Sequence, residues 1–349
     1  MRTSDEQYMA RCLQLAEMAA GHTYPNPMVG AVVVYNGTII GEGYHCKAGE
    51  PHAEVNAIES VKDASLLSAS TLYVNLEPCA HFGRTPPCSL LVIKKNIKKV
   101  VVGCVDTYSE VAGKGIEMMR HHGIEVVTDV LAQESRHLNR RFFTFHEKKR
   151  PYVILKWAQT LDGFIDIDRQ KHQLGHPTWI TNDYARRAVH KLRAREQAIM
   201  VGTRTAQNDN PSLTVRDWAG NQPLRIALDR TDKLPAHLNI FDGKVPTLIV
   251  GETDENRMLP VERLVLPFDR RLLPELLHHL HECQIQSLIV EGGRMLLQSL
   301  IDLGVWDEAL VFEGNVRFGN GVAAPSLGNR SAAVTYFGDS RMFTYHNNG

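Results

Sequence analysis

His52, Glu54, Cys79 and Cys88 are the residues of this chain whose types and spacing best fit chemistry. They stand in Pro51-His52-Ala53-Glu54, Glu77-Pro78-Cys79 and Thr85-Pro86-Pro87-Cys88. One imidazole nitrogen and two sulfurs supply three ligands for a zinc ion. Structural zinc sites are closed by four protein ligands, whereas three leave a position open for water and mark a catalytic site. Glu54, two residues past the histidine, is then placed to carry protons between that water and a nucleobase-like ring without ligating the metal. The chemistry read from this set is hydrolytic deamination.

Ordinary core packing accounts for Cys and His as residue types, but not for an acid beside the first ligand. Nor does it explain two thiols that each follow a proline in a polar, Gly/Pro-rich stretch. His81, between the cysteines, is a rival ligand and reads better as a polar wall of the substrate pocket. The zinc-deaminase signature puts two residues between the Cys ligands; here Ala80 through Pro87, eight residues, intervene. That longer loop, Cys-Ala-His-Phe-Gly-Arg-Thr-Pro-Pro-Cys, resembles the deaminase half of the bifunctional riboflavin-biosynthesis family. Thr23-Tyr-Pro-Asn-Pro-Met-Val-Gly30 resembles the same family's substrate-side segment, and the resemblance runs through nearly the whole chain. It implies a cytidine-deaminase-like α/β/α sandwich in which Asn26 and His81 face the substrate.

A second set of residues lies around Ser287-Leu-Ile-Val-Glu-Gly-Gly293, a buried-type strand running through two glycines into the amphipathic helix that starts at Arg294. Glycines there let backbone N–H groups approach a phosphate at the helix N-terminus, although a Gly-Gly pair is also an ordinary strand-to-helix turn. Leu161-Asp162-Gly163, Trp179-Ile180-Thr181, Leu192-Arg193-Ala194 and Asp209-Asn-Pro-Ser-Leu-Thr-Val-Arg216 follow the order of the family's reductase domain, which resembles dihydrofolate reductase in fold. The resemblance implies that Gln159, Trp179, Thr205, Asp209 and the turn at Gly293 and Arg294 face NADPH. It implies that Arg193, Leu213, Arg216 and Glu291 face the substrate. Two guanidinium groups suit a ribose phosphate, which they hold by charge-assisted, often bidentate hydrogen bonds. Read without the family, Arg193 belongs to a solvated helix face with Arg186, Arg187 and Lys191, and Trp179 to a core.

The elements that position these residues alternate. Ser4 and Gln7 have capping-box spacing before a helix with Met9, Leu13, Ala16 and Ala20 on one face. Val29–Val34 and Thr38–Ile40 read as a hairpin about Asn36-Gly37. Helices are expected over 52–61, 88–95 and 115–122, with strands at 71–75, 99–104 and 124–127. His52 and Cys88 thus fall at helix starts, where free N–H groups and the helix dipole favour thiolate over thiol. The charged run His146-Glu-Lys-Lys-Arg-Pro151 has linker composition. It separates an expected deaminase domain, 1–148, from an expected reductase domain, 149–349. The second half adds strands at 152–155, 198–201, 225–228, 247–250 and 287–291 and helices over 183–195, 272–283 and 294–300, making the whole chain α/β.

The 349 residues carry 39 basic and 39 acidic side chains, so no global field favours nucleic acid or a membrane surface. Six cysteines form no secreted disulfide framework and the N-terminus has no long apolar run, which together point to the cytoplasm. The expected partner is a small pyrimidine ribosyl phosphate, with Zn2+ and NADPH as cofactors, and the reading admits a homo-oligomer. A tRNA or nucleoside deaminase with an accessory domain is disfavoured by the neutral charge and the long ligand gap. A non-catalytic zinc-stabilised binding module is disfavoured by the missing fourth ligand. Two departures from the family stand out. Asp106-Thr107-Tyr108-Ser109 replaces the usual Asp-Pro-Asn-Pro, putting a phenol where relatives have an amide. Pro177 stands where relatives carry a substrate-touching serine.

Overall fold

Thr3, not Ser4, caps the first helix, α1 (Ser4–Glu17): its hydroxyl accepts from the Glu6 N–H, and the Glu6 carboxylate accepts from the Thr3 N–H. The Thr3/Glu6 pair has the same spacing as Ser4/Gln7 and a charged acceptor, which makes it the stronger box. The computed structural model describes residues 3–82, 86–106, 113–169, 175, 178–253 and 259–347. It divides into two compact units, Met1–Lys149 and Arg150–Gly349.

In the first unit α1 is followed by the hairpin β1 (Gly30–Tyr35) and β2 (Thr38–Tyr44), then α2 (Ala53–Glu59), β3 (Thr71–Leu76) and α3 (Cys88–Lys94). Next come β4 (Lys99–Cys104), α4 (Lys114–His121), β5 (Glu125–Val127), α5 (Ala132–Leu138) and α6 (Arg140–Lys148). The sheet order is β2-β1-β3-β4-β5, antiparallel across β2-β1-β3 and parallel across β3-β4-β5. Successive strand residues point to opposite faces, and the core follows that period. Ala31, Val33, Leu72, Val74, Val100 and Val102 pack under α2, α3 and α4. Val32, Val34, Tyr73 and Val101 pack under α1, whose buried residues Met9, Cys12, Leu15 and Ala16 differ from the expected face at Leu13 and Ala20. Residues 146–148 are not a linker: α6 continues through them because Phe142, Phe143 and Phe145 are buried on it, and packing of an apolar face outweighs local charge.

The second unit is built on a sheet of order β11-β10-β9-β8-β12-β6-β13-β16-β15. Its strands are β6 (Tyr152–Thr160), β8 (Ala198–Val201), β9 (Leu224–Leu228), β10 (Thr247–Gly251), β11 (Glu262–Val265), β12 (Ser287–Val290), β13 (Glu308–Gly314), β15 (Ala333–Phe337) and β16 (Ser340–His346). β7 (Phe164–Asp166) and β14 (Val322–Ala323) pair separately. From β11 to β13 neighbouring strands are parallel; β16 and β15 add an antiparallel edge. α9 (Leu272–Glu282) and α10 (Arg294–Asp302) cover one face with Leu276, Leu280, Leu297 and Leu300, each contributing roughly 1.5–3 kcal/mol by its burial. α7 (Asp183–Arg195) and α8 (Thr203–Asp209) lie over the other, through Ala185 and Val189 and through Ala206. Among the described residues no helix is long and apolar enough to cross a membrane, and all six cysteines are free.

Candidate active sites

Three donor atoms converge in the first unit: the ligand atoms of His52, Cys79 and Cys88 all lie within 4.8 Å of one another. His52 is the N-cap of α2, Cys79 follows β3 and Cys88 is the first residue of α3. The cluster sits beyond the carboxyl ends of the parallel strands β3 and β4, where α/β sheets open a crevice. Gly43 on β2 makes the placement of α2 possible, since a Cβ there would lie 2.4 Å from the Ala57 nitrogen. The helix therefore rests on the strand at backbone contact and presents His52 and Glu54 together.

His52 Nδ1 lies 3.3 Å from Cys88 Sγ and 3.7 Å from Cys79 Sγ, and the Cys88 N–H donates to Cys79 Sγ at 3.3 Å. A hydrogen bond from Cys88, supported by His52 and that backbone N–H, outweighs burial and pulls the Cys79 thiol down to about 4. Cys88 moves up through the same hydrogen bond and through burial. One nitrogen and two sulfurs, one of them readily a thiolate, form a zinc-type donor set. Glu54 is 3% exposed, and burial, with the Cys79 charge adding to it, pushes its carboxyl up to about 7. His81 is exposed and stands outside the trio.

Asn26 is placed by a residue that the sequence reading passed over. His45 Nδ1 lies 3.1 Å from the Pro51 carbonyl, and its Nε2 lies 3.0 Å from Asn26 Nδ2. With Nδ1 donating to the carbonyl, Nε2 accepts from the amide and fixes which way Asn26 faces. The His45 ring also meets His52 edge to face at 5.4 Å. The only sequence trace of this was a histidine at the end of a half-buried strand. Thr107, Tyr108 and Ser109 lie outside the described residues, as does Pro177.

In the second unit a cleft of about 1680 Å³ collects most of the other expected residues: Trp179, Arg193, Thr205, Asp209, Leu213, Arg216, Glu291, Gly293 and Arg294. Gln159 is not among them. It lies at the end of β6 beside Trp157, whose indole N–H donates to Gln159 Oε1 at 3.0 Å, while Lys156, Trp157 and Ala158 line the cleft. Gly292, at φ +116, is in a region that favours glycine, and its carbonyl accepts from the Gly202 N–H at 2.9 Å. That bond draws the turn before α10 to the start of α8, with Thr205 Oγ1 beside both glycines. Trp179 is 60% exposed and carries the Arg186 guanidinium 4.4 Å from its ring centroid, so it is neither core nor simply solvated.

Arg193 and Glu291 are both in the cleft, but they bind each other. The arginine donates from Nε to Oε1 at 2.8 Å and from Nη2 to Oε2 at 2.7 Å. Lys156 Nζ, unnoticed in the sequence, lies 3.8 Å from Glu291 Oε2. Burial by itself would raise the Glu291 carboxyl; Arg193 and Lys156 outweigh it and hold the group at about 2. Arg216 is exposed and remains the outward-facing guanidinium. Its backbone N–H donates to His190 Nδ1 at 3.2 Å.

Comparison with known proteins agrees on both units. Residues 2–104 match the cytidine and deoxycytidylate deaminase zinc-binding region, and residues 151–337 match the RibD C-terminal domain. The riboflavin biosynthesis protein RibD of Aquifex aeolicus is 40% identical over 95% of this chain and 92% of its own length. That of Escherichia coli is 36% identical over 88% and 87%. A crystal structure from Thermotoga maritima, described as a diaminohydroxyphosphoribosylaminopyrimidine deaminase/5-amino-6-(5-phosphoribosylamino)uracil reductase, superposes with a TM-score of 0.88 at 36% identity, covering 98% of both chains. Acinetobacter baumannii RibD does so at 0.87 and 31% identity, again over 98% of both.

Proposed function

The chain belongs to the RibD family of bifunctional deaminase-reductases of riboflavin biosynthesis, and on that footing we propose how its two sites divide the work. The fold is a deaminase-like α/β/α sandwich followed by a dihydrofolate-reductase-like domain, and the cofactors are Zn2+ and NADPH. In our reading residues 1–148 deaminate 2,5-diamino-6-ribosylamino-4(3H)-pyrimidinone 5′-phosphate. Residues 149–349 then reduce the ribosyl group of 5-amino-6-(5-phosphoribosylamino)uracil to ribityl.

His52, Cys79 and Cys88 hold the zinc, which when bound supplies Lewis-acid activation of water. Water replaces the ring amino group and ammonia leaves. Glu54 takes a proton from the attacking water on its carboxylate, delivers it to the ring nitrogen and assists the departure of ammonia. Its burial suits the task, because a general acid-base works best when its pKa lies near the working pH. Asn26, oriented by His45, and His81 contact the pyrimidine.

NADPH, when bound, supplies the hydride. Trp179, Thr205, Asp209 and the turn at Gly293 and Arg294 orient it, and Gln159 contributes through Trp157. Arg216 receives the ribose phosphate, Leu213 packs beside the substrate, and the Arg193–Glu291–Lys156 group faces the sugar. Positioning of this kind is the protein's part in cofactor chemistry. The expected compartment is the cytoplasm.

The observation that carries the reading is the convergence of three zinc-type donors beside a buried Glu54 in one unit, with a cation-lined cleft in the other. The test is to incubate the purified protein with the diaminopyrimidine phosphate and follow ammonia and product mass. Ammonia release without NADPH, and a further gain of two hydrogens only with it, are expected. Reduction of the substrate without prior ammonia release would overturn the proposed order.

A further inference from the structure

Arg169 joins three parts of the reductase cleft through one guanidinium group. It follows β7, and its side chain is only 6% exposed. Nε donates to Asp166 Oδ2 at 2.7 Å, and Nη1 donates to the Asn208 carbonyl at 3.2 Å. Nη2 donates to Asp166 Oδ1 at 3.0 Å, to Asp209 Oδ1 at 2.7 Å and to Thr178 Oγ1 at 3.3 Å. Thr178 in turn donates to Asp166 Oδ1 at 3.1 Å, and the Gly175 N–H donates to the Asn208 carbonyl at 2.7 Å. All of these residues line the cleft.

The geometry points to Arg169 as a positioning residue for NADPH: it fixes Asp209 and Thr178, the neighbour of Trp179, and its single positive charge offsets one of two carboxylate charges in a cleft that must take a polyanionic cofactor. This rests on the reading that Asp209 and Trp179 face the cofactor. All three guanidinium nitrogens are engaged, so Arg169 acts through its neighbours rather than as a phosphate ligand. A lysine would preserve the charge but not the planar fork that meets Asp166 in bidentate fashion. Burial pushes the Asp209 carboxyl up to about 6, with Arg169 opposing and Asp166 adding to the rise. Without Arg169 that carboxyl would move further up. The cleft would then carry one more uncompensated negative charge at alkaline pH, and Asp209 would become uncharged as pH falls.

The experiment measures the NADPH Kd and the reductase kcat and KM in the intact chain for Arg169→Met, Arg169→Lys, Asp209→Ala and the Arg169→Met/Asp209→Ala pair. Loss of a charged hydrogen-bonding group predicts a roughly tenfold higher NADPH Kd in Arg169→Met. Its kcat at saturating NADPH should stay close to wild type, and binding should worsen as pH and dilution of salt increase. Arg169→Lys should recover part of the loss, and the double variant should bind no worse than the weaker single one. A wild-type Kd in Arg169→Met alongside a raised Kd in Asp209→Ala would remove Arg169 from this role and leave the Asp209 reading standing. A wild-type Kd in Asp209→Ala would overturn the Asp209 reading and the inference with it. If Arg169→Met does not fold, Arg169→Lys decides: a wild-type Kd and salt dependence there, with the fork lost, would sink the positioning role.

Discussion

Arg193 on α7 and Glu291 after β12, 98 residues apart in sequence, meet as a bidentate ion pair inside the reductase cleft, with side chains 11% and 9% exposed. The pairing separates two arginines that the sequence treats alike. Removing Arg193 leaves the buried Glu291 carboxylate with the more distant Lys156 at 3.8 Å as its partner, at a cost of up to about 3–5 kcal/mol, whereas Arg216 is exposed and among the described residues shows no such pair. Arg193→Ala should therefore reduce both stability and reductase kcat/KM. Arg216→Ala should leave stability intact and lower kcat/KM about ten- to a hundredfold through the KM for the ribosyl substrate, the scale of one or two charged hydrogen bonds. Urea titration beside steady-state kinetics distinguishes them; equal stability losses in both variants would contradict the pairing.

The same pair gives the second unit a specific acid sensitivity. Glu291 is held at about 2, below the usual carboxylate range, by Arg193 and Lys156. A carboxyl depressed on folding contributes stability that is complete above its unfolded pKa and lost as pH falls through the folded one. The shift corresponds to about 3 kcal/mol, lost between roughly pH 4.5 and 2. All four tryptophans, Trp157, Trp179, Trp218 and Trp306, lie in this unit, so their fluorescence reports its unfolding alone. Glu291→Gln should flatten the drop in urea midpoint across that window, and an unchanged slope would exclude the carboxyl as its source.

Glu54→Gln should retain zinc, because the three donors are untouched, while lowering the rate of ammonia release by about a hundredfold or more, the usual share of general acid-base catalysis. Reduction of supplied deaminated product should proceed as in wild type. Metal analysis together with the two separate assays checks this. Near-normal ammonia release would take Glu54 out of the mechanism.

Chelation should divide the two activities. Stripping zinc should abolish deamination and leave NADPH-dependent reduction of the supplied product unchanged, since the trio lies in Met1–Lys149 and the cleft residues in Arg150–Gly349. A fragment of residues 1–148 should bind one zinc per chain. Loss of reductase activity in step with zinc removal would argue against separate sites.

Much of this protein could be read from local order. Strand β4 and helix α7 fall on their expected residues, Lys99–Cys104 and Asp183–Arg195, because each carries an unbroken periodic pattern, an apolar run in β4 and a helical period in α7. The C-terminal edge was harder. β15 is exposed along most of its length, so its pairing with β16 has no apolar alternation to announce it. The last turn of α6 reads locally as a linker because charge dominates residues 146–150, although the helix's aromatic face lies just before them.

The grouping of His52, Cys79 and Cys88, with Glu54 beside the first, was legible in the sequence alone, because metal ligation and proton transfer demand particular side chains and short motifs carry them; the fold brings the three donor atoms together. Tertiary structure decided what the distant charges do. Neither the bond from Arg193 to Glu291, nor Lys156 beside them, nor Arg169 between Asp166 and Asp209 has a sequence signature, since each depends on which strand ends lie next to one another. A guanidinium on an amphipathic helix looks solvated until the fold brings a carboxylate to it. Burial then makes that pairing strong, because water no longer competes for the same hydrogen bonds.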